Sequence, residues 1–205
     1  MIKYLFSKVD KVNGFNEQQI KYLSIDLKTC KSILFVPGDY DKEKYIIYKD
    51  KIIGWFENID IIFKEKHLAS LDGELKCYDA IFLMGGNPIN QIEIINKINL
   101  KNIINKAKVV IGVSAGAINL SKEAIYFNDY NNKVEMYDGL GLTDINVYPH
   151  FDITNEYFVE EVKMVSRLKS LIALPNNSFI KIDDKQIEFI GDSFKIDKEN
   201  IIKIN

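Results

Sequence analysis

The chain has 205 residues, 47% of them hydrophobic, which is enough for one buried core, so we expect a single domain over residues 1–205. Its formal net charge is −2 and its lysines and carboxylates are mixed along the sequence, so it lacks the basic face that nucleic acids and anionic membranes attract. The apolar stretch among the first residues is too short for a secretory signal, and no apolar run approaches the roughly 18 residues of a membrane span. We therefore expect a cytoplasmic protein.

Short β-branched runs alternate with longer amphipathic segments in the first 122 residues. The predicted strands are 2–6, 32–36, 60–63, 80–84 and 109–113. The predicted helices are 16–28, 41–57, 88–98 and 115–122. This β-α-β-α order favours an α/β fold with a mainly parallel sheet covered by helices on both faces.

The pattern weakens after residue 122. Residues 128–138 are polar and rich in asparagine, and 139–142 are typical of a turn. A strand is predicted at 144–148, a helix at 154–169 with Thr154 as its N-cap, and a strand at 171–174. The alternating tail from 178 to 204 predicts antiparallel hairpins.

A G-x-S-x-G pattern, Gly112-Val113-Ser114-Ala115-Gly116, follows the apolar strand predicted at 109–113. This is the form of a nucleophile elbow, in which a strand turns sharply into a helix and presents a serine hydroxyl. Glycines on both sides allow neighbouring backbone to approach the strained serine. Ser114 is therefore the candidate nucleophile, although a βα turn that merely packs closely has the same composition.

A serine nucleophile requires a base, and the chain contains only two histidines. His67 lies in the charged run Lys64-Glu65-Lys66, which is typical of a solvated loop or helix end. His150 ends an apolar stretch and follows Pro149, which restricts the backbone. We therefore choose His150 as the candidate general base.

The acid that would orient the base is not fixed by spacing. Five carboxylates lie between or beside Ser114 and His150: Asp129, Glu135, Asp138, Asp144 and Asp152.

An acyl transfer reaction also needs N–H donors for the oxyanion. Ala115, directly after the nucleophile, supplies one candidate donor, and Gly85-Gly86-Asn87, directly after the strand at 80–84, supplies another.

Metal and cofactor chemistry has little support in the sequence. Two histidines cannot form a multi-histidine centre, and Cys30 and Cys77 have no spacing typical of a zinc site or a disulfide framework. We expect no metal and no cofactor.

Three motifs in order, Met84-Gly85-Gly86-Asn87, the segment around Ser114, and Tyr148-Pro149-His150-Phe151, resemble the S51 serine peptidases. That family includes aspartyl dipeptidase (peptidase E) and cyanophycinase. The resemblance covers about residues 81–151, with weaker similarity in element order up to Leu174-Pro175.

The resemblance implies a three-layer α/β/α sandwich of the class I glutamine-amidotransferase-like (flavodoxin-like) type, and hydrolysis of a short peptide through an acyl-enzyme. It implies Ser114 as nucleophile, His150 as base, and the segment Gly85-Gly86 with Ala115 as oxyanion hole. Asp129 stands about where the family has its acidic third member, with Glu135 as the alternative.

The chain departs from the family pattern at two places. Met84 occupies the first position of a glycine run, and Asn176 follows Leu174-Pro175 where the family often has an acidic residue. The segment between His150 and that pair is shorter than in the dipeptidases and holds one arginine, Arg167, so aspartyl specificity does not follow.

Two other functions fit parts of the sequence. G-x-S-x-G also occurs in α/β-hydrolase esterases, although here the last histidine is followed by 55 residues. A noncatalytic domain that binds a ligand at the elbow is the second alternative. The 12% aromatic content fits a possible homodimer and equally a large core.

Overall fold

The computed structural model describes residues 1–70 and 76–205. Its largest sheet has seven strands in the order β11-β10-β1-β5-β4-β2-β3. These strands are β1 (Ile2–Phe6), β2 (Ser32–Gly38), β3 (Glu65–Leu68), β4 (Ala80–Gly86), β5 (Val109–Val113), β10 (Phe179–Ile182) and β11 (Ile187–Ile190). The neighbouring strands β1, β5, β4, β2 and β3 all run parallel. At the β1 edge, β10 pairs antiparallel with β1, and β11 pairs antiparallel with β10.

Helices cover both faces of this sheet. They are α1 (Glu17–Asp26), α2 (Lys42–Glu57), α3 (Pro88–Lys97), α4 (Lys101–Ile104) and α5 (Ala115–Asn119). A further helix, α6 (Glu156–Leu168), packs against the two smaller sheets. Side chains of β1 alternate between two buried clusters, because neighbouring residues of a strand point to opposite faces. Leu5 packs with α3, α4 and α5, whereas Tyr4 and Phe6 pack with α1 and α2. The result is the expected α/β/α sandwich.

The remaining strands form two small sheets beside α5 and α6. They are β6 (Glu123–Asn128), β7 (Lys133–Asp138), β8 (Val147–Pro149), β9 (Leu171–Leu174), β12 (Phe194–Asp197) and β13 (Asn200–Lys203). β6 and β7 form a hairpin, and the other four form a sheet in the order β13-β12-β9-β8. A third apolar cluster, which includes Phe151, Val162 and Ile196, joins this sheet to α6.

Four predicted elements differ from the structure. The strand predicted at 60–63 is absent there, because Asp60 adopts a positive φ of 58° at the end of α2, and the strand forms at 65–68. That strand contains His67, which therefore lies on an exposed strand at the edge of the sheet and not in a loop or helix end. The polar segment 128–138 contains β7 and the turn of a hairpin, which its asparagines concealed.

The helix predicted at 115–122 ends at Asn119, because Ser121 and Lys122 pair with the backbone of Thr143. The N-cap of α6 is Asn155, whose side chain accepts a hydrogen bond from the N–H of Tyr157. Thr154 instead bonds to Asp152. No helix in the two described ranges is long and apolar enough to cross a membrane.

The turn from β5 into α5 depends on glycines at both ends. A Cβ atom on Gly116 would lie 2.3 Å from the carbonyl oxygen of Leu83, and one on Gly112 would lie 2.5 Å from the carbonyl oxygen of Gly116. Since both obstacles are backbone atoms, a side chain could fit only if α5 moved away from β4 and β5.

We predict that Gly116→Ala lowers the free energy of unfolding by about 2 kcal/mol or more, because the new methyl group overpacks a rigid backbone contact. Gly54→Ala is the matched control: it lies within α2 with nothing within 4 Å of the added Cβ, and should raise stability by about 0.5–1 kcal/mol. Urea denaturation measures both. Equal stabilities for the two variants would contradict the prediction.

Candidate active site

Ser114 lies at the carboxyl edge of the parallel sheet, where α/β proteins bind their ligands. Its backbone adopts φ 53° and ψ −112°, which is unfavourable for a residue with a side chain. The close approach of Gly112 and Gly116 and a 2.9 Å hydrogen bond from the Ser114 N–H to the carbonyl of Phe6 hold it there. The sequence motif therefore forms the sharp, strained strand-to-helix turn that it predicts.

His150 lies next to the serine. Its Nε2 atom is 2.8 Å from Ser114 Oγ, although 36 residues separate the two in sequence. His150 also has a positive φ, 62°, directly after Pro149 at the end of β8. The predicted pairing of these two side chains is thus present in the structure.

The backbone of His150 is held by a residue that the sequence analysis missed. Ser7 follows β1, is fully buried, and accepts a 2.8 Å hydrogen bond from the His150 N–H through its Oγ. The same hydroxyl donates to the carbonyl of Leu174 at 2.8 Å. Ser7 therefore links the ends of three strands, β1, β8 and β9, and no local motif marks it.

The side chain that meets Nδ1 of the imidazole is Asn176, where the resemblance led us to expect Asp129. His150 Nδ1 lies 2.9 Å from Asn176 Oδ1, so the amide oxygen can accept the Nδ1–H and leave Nε2 as the acceptor for Ser114. The carboxylate of Asp129 instead accepts from the hydroxyl of Tyr157 at 3.1 Å. Asp129 lies on the β6–β7 turn, whereas Asn176 follows β9, the strand paired with β8.

Glu135, the alternative acid, is also engaged elsewhere. Its carboxylate accepts hydrogen bonds from the side chains of Tyr126, Asn128 and Asn131 within the same hairpin. Asn176 stands in sequence where the family often has an acidic residue. This departure from the family pattern was the sequence signal that could have identified Asn176.

The glycine segment after β4 lies beside the elbow. A Cβ atom on Gly85 would be 3.6 Å from Ser114 Cβ, and the carbonyl of Gly85 accepts a 2.9 Å hydrogen bond from Tyr45. Gly86 has φ 149°, and a Cβ on it would lie 2.3 Å from the Tyr45 hydroxyl. Only glycine fits at position 86, because both the backbone angle and the space exclude a side chain.

A buried amide network supports that segment from below. Gln91 Nε2 donates to the carbonyl of Met84 at 2.8 Å, and Asn119 Nδ2 donates to Gln91 at 3.1 Å and to the carbonyl of Pro88 at 2.9 Å. Tyr137 donates to Asn119 at 2.6 Å. Satisfied buried amides of this kind fix the course of a loop.

The pKa of His150 is lowered chiefly by desolvation, even though the residue remains exposed at the mouth of the cleft. The hydrogen bond to Asn176 acts in the opposite direction, and the positive charges of Lys8 and Lys11 lower the pKa further. The neutral imidazole, which is the form that can accept a proton, therefore persists to lower pH than for an ordinary histidine. Among the residues in the described part, no three His, Cys, Asp or Glu side chains cluster as metal ligands would.

Comparison with known proteins agrees with this fold. Peptidase family S51 matches residues 7–190. Peptidase E from Nostoc sp. (strain PCC 7120) is 26% identical over 199 residues, covering 87% of this chain and 82% of that protein. The solved structure of a peptidase from an acI-B1 Actinobacterium has a TM-score of 0.68 and 15% identity, covering 99% of this chain and 93% of its own.

A second solved structure, a putative peptidase E protein from Listeria monocytogenes EGD-e, has a TM-score of 0.66 and 19% identity over 92% of this chain and 97% of its own. These two likenesses establish an α/β fold of the peptidase E type. Since the family match spans most of the sequence, the chain belongs to peptidase family S51.

We predict that Ser7→Ala lowers the free energy of unfolding by about 1–3 kcal/mol, because it leaves the His150 N–H without its partner. Ser193→Ala is the matched control, since Ser193 is equally buried but its hydroxyl makes only a 3.4 Å contact with Gly191. Urea denaturation of both variants measures the difference. An equal loss in both would show that Ser7 contributes no special contact.

We predict that Asn176→Asp raises the pKa of His150, because a carboxylate beside Nδ1 favours the imidazolium. NMR titration of the imidazole resonances measures this, with His67→Gln identifying the signals of the other histidine. In the unmodified protein, His150 should titrate below the ordinary histidine range, as its desolvation requires. An unchanged or lowered pKa in Asn176→Asp would contradict the arrangement.

Proposed function

We propose that this protein is a serine peptidase that hydrolyses short peptides through an acyl-enzyme. The observation that carries the proposal is the 2.8 Å contact between Ser114 Oγ and His150 Nε2 on a strained elbow. Membership of family S51 and the similarity to peptidase E support the same reaction class.

In the proposed mechanism, His150 Nε2 takes the hydroxyl proton of Ser114 as Oγ attacks the scissile carbonyl. The imidazolium then protonates the leaving amine when the C–N bond breaks, which leaves an ester on Ser114. Water, deprotonated by the same imidazole, attacks that ester and releases the acid. No cofactor enters these steps.

Asn176 takes the third position in this proposal. Its Oδ1 holds the Nδ1–H of His150 and so fixes the tautomer, but a neutral amide stabilises the imidazolium less than a carboxylate would.

The oxyanion in this proposal is bound by the N–H groups of Gly86 and Ala115. The Gly85 carbonyl is fixed by Tyr45, which sets the plane of the peptide that carries the Gly86 N–H. The Ala115 N–H belongs to the first residue of α5, where a helix has no internal acceptor for it. Both residues lie at the cavity that contains Ser114 and His150.

We expect Ser114→Ala to abolish labelling by a fluorophosphonate probe and to lower dipeptide hydrolysis by about 10³-fold or more, because the covalent step is lost. Ser24→Ala, on the remote helix α1, is the control and should retain both activities. Peptidase activity that survives Ser114→Ala would refute the proposal.

The same assay separates the two other functions considered for the sequence. Turnover of esters without any cleavage of peptides would favour an esterase. A folded protein whose Ser114 does not react with the probe would favour a noncatalytic binding domain.

A further inference from the structure

Two cavities of different charge meet at Ser114 and His150. One, of about 500 Å³, is bordered by Lys8 and Lys11 and by aromatic side chains that include Trp55. The other, of about 460 Å³, is bordered by carboxylates and lies under the β6–β7 hairpin and α6. We call the second cavity the acidic pocket. The charged and tyrosine side chains that line it are those of Asp39, Lys44, Tyr126, Asp129, Tyr130, Tyr148 and Glu161.

Glu161 is the unusual member of this wall. It lies on α6 with only 3% of its surface exposed, yet no cationic side chain within residues 1–70 and 76–205 pairs with it. Its Oε2 accepts a hydrogen bond from Tyr148, whereas its Oε1 is buried and has no hydrogen-bond partner among the described residues. A buried carboxylate oxygen without a donor is costly, and a native protein that keeps one commonly reserves it for a ligand.

A second carboxylate, that of Asp129, acts on the same position. Burial raises the pKa of Glu161, and a side-chain hydrogen bond with Asp129 and the negative charge of Asp129 raise it further, while hydrogen bonds from Tyr148 and Tyr157 oppose the shift. Tyr157 donates to Asp129 at 3.1 Å. The two carboxyl groups are therefore adjacent, and a cation beside them would favour the ionised form of both and give Oε1 of Glu161 the donor that it lacks.

The surroundings suit an organic cation better than a metal ion. The described residues contain no group of three His, Cys, Asp or Glu side chains placed as metal ligands. Aromatic side chains instead line the pocket together with the carboxylates, and they are those of Tyr126, Phe127, Tyr130, Tyr148 and Phe158. Such rings bind ammonium and guanidinium groups through cation–π contacts.

An acidic group would find little in this pocket to bind it. Arg167, the one arginine between His150 and Pro175, pairs with Glu199 at 2.7 Å and does not line the pocket. Lys44 reaches the rim, where Asp39 holds its ammonium at 3.2 Å. Carboxylates thus outnumber ammonium groups on the wall by three to one.

We propose that the acidic pocket binds a positively charged group of the peptide substrate, through Glu161 and Asp129. This inference rests on the proposed peptidase function and specifies its substrate class. The cation has two possible sources in a peptide, a lysine or arginine side chain and the terminal α-ammonium, and both offer N–H donors to a carboxylate.

Binding of dipeptides to the Ser114→Ala variant, measured by calorimetry, tests this inference without requiring turnover. Lys-Ala is compared with norleucine-Ala, Ala-Lys with Ala-norleucine, and Ala-Ala with N-acetyl-Ala-Ala. We expect at least one cationic member to bind about tenfold or more tightly than its neutral match. The first two pairs report a side chain on either side of the scissile bond, and the third reports the α-ammonium.

The ratio of the affinities for the cationic and the neutral dipeptide should then fall towards one when Glu161→Gln or Asp129→Asn is added to the Ser114→Ala background. Glu160→Gln is the matched control, because it lies on the same helix but is exposed and pairs with Lys163. Asp129 is exposed, so its variant decides the question even if the loss of buried Glu161 unfolds the protein.

Two results would overturn the inference: no cationic dipeptide binds more tightly than its match, or the preference survives in Asp129→Asn. Probe labelling of the unmodified protein separates this failure from failure of the proposed function. Normal labelling of Ser114 without a cation preference would refute only the cation-binding role of the acidic pocket. Absent labelling would refute the peptidase function, and the binding data would then be judged by themselves.

Discussion

The strained backbone at Ser114 is the constraint on which the rest of the site depends. A serine held at φ 53° and ψ −112° turns the chain from β5 into α5 and raises its hydroxyl above the sheet edge. The strain persists because Gly112 and Gly116 allow backbone atoms to approach to distances that no side chain would permit. The elbow is therefore stabilised by packing around it, and not by the local preference of the serine.

The imidazole is positioned by a second set of contacts that joins distant parts of the chain. Ser7 holds the backbone of His150 from the end of β1, and Asn176 holds the ring from the end of β9. These residues come together because the parallel strands β1 and β5 share one carboxyl edge and the β8–β9 pair ends beside it. Because the amide of Asn176 carries no negative charge, desolvation is the dominant influence on the pKa of His150.

Charge is distributed unevenly around the reacting groups. Lysines border one side of Ser114, and Asp129 and Glu161 border the other. A peptide carries cationic and anionic groups at fixed spacing, so a cleft with separated charges can select both the substrate and its direction of binding. The only arginine after His150, Arg167, pairs with Glu199 and does not line the acidic pocket.

The sequence by itself determined the order of elements through β5 and the elbow, because hydrophobic periodicity and glycine spacing are local properties. It also pointed to His150 as the candidate base for Ser114, since the sequence has only two histidines and the other lies in a charged run. It misplaced the strand at 60–63 and concealed the β6–β7 hairpin, because a left-handed Asp60 and cross-strand pairing of polar residues leave little periodic signal.

Only the tertiary structure decided that Asn176, and not Asp129, meets the imidazole, and that Ser7 supports it. Spacing could not rank these residues, because each is brought to the site by the pairing of strands far apart in sequence. The burial of Glu161 was likewise invisible, since a glutamate in an amphipathic helix resembles any solvated one until the packing of α6 against the β6–β7 hairpin removes its water.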